Sequence, residues 1–181
     1  MKGAKKVLVL SAVVGLTLAG LSVTTAHASA FHRFSDGFEG NPLAHWQPLT
    51  NGDGRADFDI NEGFARTGKN NGWLYTGQGW AAERIAVPIG AWGGDRSNCM
   101  AEIYAQPLDG GAQVGLEIWD PNGWRKLTST APWLPGPGYQ PIRTSRVDLS
   151  RIDTVYVQAI FGKDNGVKQF VRLDDMSLLC G

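Results

Sequence analysis

The stretch Thr154-Val-Tyr-Val-Gln-Ala-Ile-Phe161 alternates along its length: Val155, Val157, Ala159 and Phe161 take one face of an extended chain, leaving Tyr156 and Gln158 on the other. It closes the longest run without glycine or proline, Ile142 to Phe161, which is rich in Thr, Ser and Val and has no helical stripe. Gln113 to Trp119 repeats the pattern, with Val114, Leu116 and Ile118 against Gly115, Glu117 and Trp119. Outward from these two, further strands are predicted at Arg33–Glu39, Ala56–Asn61, Gly72–Thr76, Ala82–Val87, Cys99–Gln106, Trp124–Thr128, Gln140–Val147 and Phe170–Cys180. Turn clusters such as Asn51-Gly-Asp-Gly54, Asp120-Pro-Asn-Gly123 and Lys163-Asp-Asn-Gly166 separate them. Many short strands and no helix of consequence predict an all-β fold: one antiparallel β-sandwich or jelly roll over residues 31–181.

Before that domain, Lys2, Lys5 and Lys6 precede the apolar run Val7 to Leu21, and small residues follow at Ala26, Ala28 and Ala30. This reads as a secretory signal peptide over residues 1–30, so the expected location is extracellular. Without it, 14 basic and 17 acidic groups remain of the original 17 and 17, a net charge of −3. Such a product lacks the basic footprint of a nucleic-acid partner. After Leu21 no apolar run approaches the roughly 18 residues that span a bilayer, and no lipid-bearing Cys follows the leader. In an oxidising compartment Cys99 and Cys180, the sole cysteines, are expected to pair. Closing so long a loop stabilises by about 4 kcal/mol in the loop-entropy model.

Catalytic motifs are sparse. Gly77-Gln-Gly79-Trp-Ala-Ala82 has the letters of a dinucleotide fingerprint, but Pro88 and Gly90 leave no room for the helix it requires. Asp57-Phe-Asp59-Ile-Asn61 starts like a calcium loop, yet Glu62 and Gly68 stand where the turn glycine and the bidentate acid belong, so an edge strand is the better reading. No G-x-S-x-G elbow occurs, and only His32 and His45 follow the leader. The remaining catalytic option is a glycosidase pair, Glu102 with Glu117, on strands adjacent in sequence.

Aromatic residues carry more information. Seven Trp and four Tyr follow the leader, several in polar company: Trp73 and Tyr75 after Asn71, Trp80 after Gln78, Trp119 after Glu117, Trp124 after Asn122, and Tyr156 before Gln158. Flat rings stack on sugar faces while amides and carboxylates bond hydroxyls, so Trp119, Glu117, Tyr156 and Gln158 are expected to form a saccharide platform. Trp73 and Tyr75 would extend it and Trp124 would form its rim. The same rings would also suit a second hydrophobic layer or a protein partner.

Three stretches together resemble the CenC-like carbohydrate-binding modules of the galactose-binding-like jelly-roll family. They are Asp36-Gly-Phe-Glu39 with Trp46, Ala65-Arg-Thr-Gly-Lys-Asn-Asn-Gly-Trp73 leading to Gly79-Trp80, and Val171-Arg-Leu-Asp-Asp175-Met-Ser-Leu178. The resemblance implies a glycan- or polysaccharide-binding sheet and a structural calcium held by Glu39 with Asp174 or Asp175. In the family arrangement the last strand runs beside the one beginning at Cys99, which would bring Cys180 to it. Two departures, the absence of an accompanying hydrolase domain and Cys99 where the family places an aromatic, imply an alternative role as a secreted protein-binding adaptor or subunit.

Overall fold

The computed structural model describes residues 32–181; the leader predicted over residues 1–30 lies outside the described residues. The strands are β1 (His32–Asp36), β2 (Trp46–Gly52), β3 (Arg55–Ile60), β4 (Asn70–Thr76), β5 (Gly79–Pro88), β6 (Cys99–Pro107), β7 (Ala112–Asp120), β8 (Arg125–Thr130), β9 (Trp133–Leu134), β10 (Gln140–Arg143), β11 (Thr154–Lys163) and β12 (Gln169–Cys180). Among the described residues the helical content is one 3-10 turn, Pro42–Ala44, and no helix is long and apolar enough to cross a membrane.

Two antiparallel sheets face each other. One has the order β10-β6-β12-β4-β3, with β1 lying along the C-terminal half of β12; the other has the order β2-β5-β11-β7-β8, with β9 beside the start of β7. Strand periodicity sets the core between them. Val155, Val157, Ala159 and Phe161 of β11 and Val114, Leu116 and Ile118 of β7 meet Ala101, Ile103, Val171, Leu173, Met176 and Leu178 of the opposite sheet, all buried.

The opening motif closes the core beside the edge strands β2 and β3. Phe38 is fully buried at a left-handed φ of 61°, with its ring 4.5 Å from Trp46 and 5.7 Å from Phe58. Gly72 makes room for it, since a Cβ there would lie 3.1 Å from the Phe38 ring. Cys99 and Cys180 are cross-strand partners at the start of β6 and the end of β12, 4.1 Å apart at Cα and joined by a disulfide.

The sequence reading overlooked β2 and β9. Pro48 lies in the middle of β2, where it hid the strand; β2 is the edge of its sheet, so a residue without an N–H is tolerated there. One core position also breaks the apolar pattern. Glu83 faces inward from β5 with no exposed surface, and among the described residues neither its oxygens nor the core Trp46 Nε1 has a hydrogen-bond partner. Burial, with a smaller contribution from Asp57, pushes its pKa up to about 9.

Candidate functional site

The register of β11 brings the expected platform together. Tyr156 lies opposite Trp119 of β7, and Gln158 lies between Glu117 of β7 and Arg84 of β5. A continuous polar chain crosses four strands. Arg84 donates to Gln158 Oε1 from Nε at 2.9 Å and Nη2 at 2.6 Å, and Gln158 Nε2 donates to Glu117 Oε2 at 3.1 Å. Glu117 also accepts Trp119 Nε1 at 2.8 Å and Lys126 Nζ at 2.8 Å. Gln158 and Glu117 are nearly buried, so this network holds the surrounding rings in fixed positions.

Around it the aromatic rings form two groups. Trp124, exposed at 58%, stacks on Tyr156 at 5.6 Å with 22° between planes. Its backbone adopts φ 52° directly after Gly123 at φ 82°, a strained choice for a bulky residue that turns the ring over the sheet. The Arg84 guanidinium lies 5.1 Å from both ring centroids. Beyond Glu117 the face opens into a groove of about 470 Å³ lined by Trp80, Gln113, Gly115, Lys126, Ser129 and Ile160, among others. Gly115 sets its depth: a Cβ there would meet Ile160 Cγ2 at 2.7 Å. Gln113 and Gly162 also line a second hollow that runs on to Trp133, exposed at 66%.

Trp80, Gln113, Lys126, Ser129, Trp133 and Arg84 are therefore part of this surface and were not selected from sequence. Trp80 and Gln113 carried a signal, lying on the same alternation as Arg84 and Glu117. Trp133 was obscured by Pro132 and Pro135 around a two-residue strand.

Trp73 and Tyr75 do not extend the platform. They project from β4 on the outer face of the opposite sheet, where Trp73 is 5.6 Å and Tyr75 4.5 Å from Phe170 of β12. The alternation of β4 was read correctly, but alternation does not say which sheet a strand joins. The glycosidase pair fails for the same reason. Glu102 pairs with Arg143 on the outer face of the β12 sheet, whereas Glu117 lies on the outer face of the β11 sheet, so the sandwich separates them and they cannot flank one bond.

The acids expected to hold calcium do converge, at the gap that β4 and β1 leave along β12. A bulge between Asp174 and Ser177, with Asp175 at φ 48°, opens that edge. Into it the 61–69 loop inserts its donors. Asp174 accepts the N–H groups of Arg66, Thr67 and Asp175; Asp175 accepts Arg66 Nη1 and Thr67 Oγ1; Glu39 Oε1 accepts Lys69 and Asn70 N–H at 2.7 and 3.0 Å. Gly68 allows this wrap, because a Cβ would lie 2.2 Å from Glu39 Oε1. Burial still pushes Asp174 up to about 6 despite these donors. The cluster has the charge for a cation, but its oxygens face N–H groups. A calcium shell of about six to eight oxygens would need those donors to turn away.

No protein-family model matches the sequence, and no curated protein matches it. Solved structures do. A family 61 carbohydrate-binding module in complex with β-1,4-galactotriose superposes with a TM-score of 0.59 at 10% identity, over 80% of this chain and 94% of that one. The xylan-binding family 22 domain of Paenibacillus barcinonensis Xyn10C gives 0.58 at 14% identity, over 84% and 97%. The Clostridium thermocellum family 11 module, in complex with a mixed-linked β-1,3-1,4 tetrasaccharide, gives 0.55 at 16% identity, over 85% and 97%. This chain has the jelly-roll fold of those modules, as the sequence resemblance implied.

Proposed function

We propose that this chain is an exported, non-catalytic carbohydrate-binding domain that holds a polysaccharide along the outer face of the β11 sheet. The observation that carries this reading is the groove over Gly115 and Ile160. One flank is Trp80, the Trp119, Tyr156 and Trp124 rings lie beyond one end, and Gln113, Glu117 and Ser129 stand within hydroxyl-bonding reach of its floor. Rings supply stacking area and the amides and acid supply orientation, a division suited to a sugar's apolar faces and equatorial hydroxyls. The fold shared with modules solved in complex with oligosaccharides supports it. The test is a glycan array with the secreted protein beside Trp80→Ala and Trp119→Ala. The reading expects a saccharide hit that both variants weaken at least tenfold while remaining folded, about 1.4 kcal/mol or more of binding free energy.

A second reading is a secreted adaptor in which Trp124 and Trp133, the most exposed tryptophans of this face, act as hot spots for a protein partner. A stoichiometric partner captured from culture supernatant, not displaced by oligosaccharides, together with an empty glycan array, is its signature. A structural calcium at Glu39 with Asp174 or Asp175 is a separate part of the proposal. It requires the 61–69 loop to exchange N–H donors for carbonyl oxygens around the ion.

A further inference from the structure

The charges of the platform are not balanced. Lys126 is paired with Glu117 and Arg125 with Asp120, but Arg84 forms no ion pair among the described residues. Its hydrogen bonds go to a neutral amide, and they use Nε and Nη2, leaving Nη1 without an acceptor among the described residues. The guanidinium is also partly desolvated beside Trp124 and Tyr156, which lowers its pKa from the ordinary arginine value against the attraction of the Glu117 carboxylate. Surface arginines that serve only packing usually turn their charged head to water. This one lies over the sheet, fixed by Gln158 and flanked by stacking rings, with its remaining N–H groups unused among the described residues.

We propose that the saccharide held on this face is acidic, a polysaccharide bearing uronic-acid carboxylates, and that Arg84 reads the carboxylate. The inference rests on the carbohydrate reading and narrows it. A planar guanidinium meets a planar carboxylate through two parallel N–H···O bonds, a geometry that neutral hydroxyls cannot reproduce. The position beside Trp124 and Tyr156 lets a pyranose ring stack while its C6 carboxylate reaches Nη1. Glu117 does not compete for Arg84, because its oxygens accept from Trp119, Gln158 and Lys126. Gln158 is the positioning residue, since its amide oxygen sets the guanidinium plane.

The experiment compares polymers that differ only in charge: polygalacturonan and glucuronoxylan, each beside its carboxyl-reduced form, measured by titration calorimetry at low and high salt, with dextran sulfate as an anionic control. At least one native uronate polymer is expected to bind about tenfold or more tightly than its reduced form, some 1.4 kcal/mol. That ratio should shrink with salt and fall towards one in Arg84→Gln, while Arg84→Lys keeps part of it. If Arg84→Gln does not fold, the wild-type ratio and Arg84→Lys decide. Equal binding of native and reduced forms, or a preference that survives in Arg84→Gln, overturns the inference and leaves the carbohydrate reading standing. Dextran sulfate binding as tightly as the uronates also overturns it, since that is attraction to any anion. An array on which no saccharide of any kind binds removes both.

Discussion

Gln158 accepts two hydrogen bonds from Arg84 on a single oxygen, from Nε at 2.9 Å and from Nη2 at 2.6 Å, across the β5–β11 pairing. Its nitrogen meanwhile serves Glu117, so one nearly buried amide ties three strands. Replacing it by Leu leaves acceptors and donors of the network unpaired. Gln158→Leu is expected to lose about 1–3 kcal/mol of stability by denaturant titration. Glycan binding should fall further than that of a variant with equal stability loss made in the core.

Trp124 occupies a left-handed backbone conformation at φ 52°, which a residue without a side chain adopts freely. Trp124→Gly should therefore cost little stability, within about 1 kcal/mol of the parent, because relief of backbone strain offsets the lost stack on Tyr156. Saccharide binding should nevertheless drop. A large destabilisation with unchanged binding would place Trp124 in the scaffold instead.

The floor of the groove depends on a missing side chain. Gly115→Ala places a Cβ 2.7 Å from Ile160 Cγ2 and forces that side chain into the groove. Thermal stability should change modestly, by about 1–2 kcal/mol, while affinity for an oligosaccharide falls. Unchanged affinity, with a correctly folded variant, would move the ligand away from this groove.

Glu83 makes stability depend on pH in a defined direction. Its pKa of about 9 in the fold lies above the ordinary 4.5, so the folded chain holds a proton that the unfolded chain releases. Stability is full below the ordinary value and declines as pH rises towards 9, with a slope of up to about 1.4 kcal/mol per pH unit. Urea denaturation at several pH values between 5 and 9 should show this slope in the parent and a much flatter profile in Glu83→Gln. Parallel profiles would mean that the acid has found a partner inside the core.

Calcium is tested most directly through melting temperature. Binding to the folded state alone raises it, and chelation reverses the rise. In Glu39→Gln the calcium-dependent part should disappear. No response to calcium or chelator would leave Arg66 and the 61–69 loop N–H groups as the compensation for Asp174 and Asp175.

Much of this molecule is written in its alternation of residues. Val155 to Phe161 and Val114 to Ile118 fix which side of each strand is apolar, because successive side chains of an extended chain point to opposite faces, and so alternation alone groups Tyr156 with Gln158 and Glu117 with Trp119. The Cys99–Cys180 disulfide was legible as well, since two cysteines behind an expected leader have one pairing open to them. What alternation cannot specify is the assignment of strands to sheets. That depends on long-range pairing and on the packing of two layers against one core, and it sent Trp73, Tyr75 and Glu102 to the face opposite Trp119 and Glu117. Tertiary structure also decided the groove itself, which exists because β11 sets Ile160 opposite Gly115 of β7 and Gly162 opposite Trp80 of β5, residues far apart in the chain. It likewise left Arg84 over that surface with an amide for a partner, a matter of which side chains the fold places within reach and which it does not.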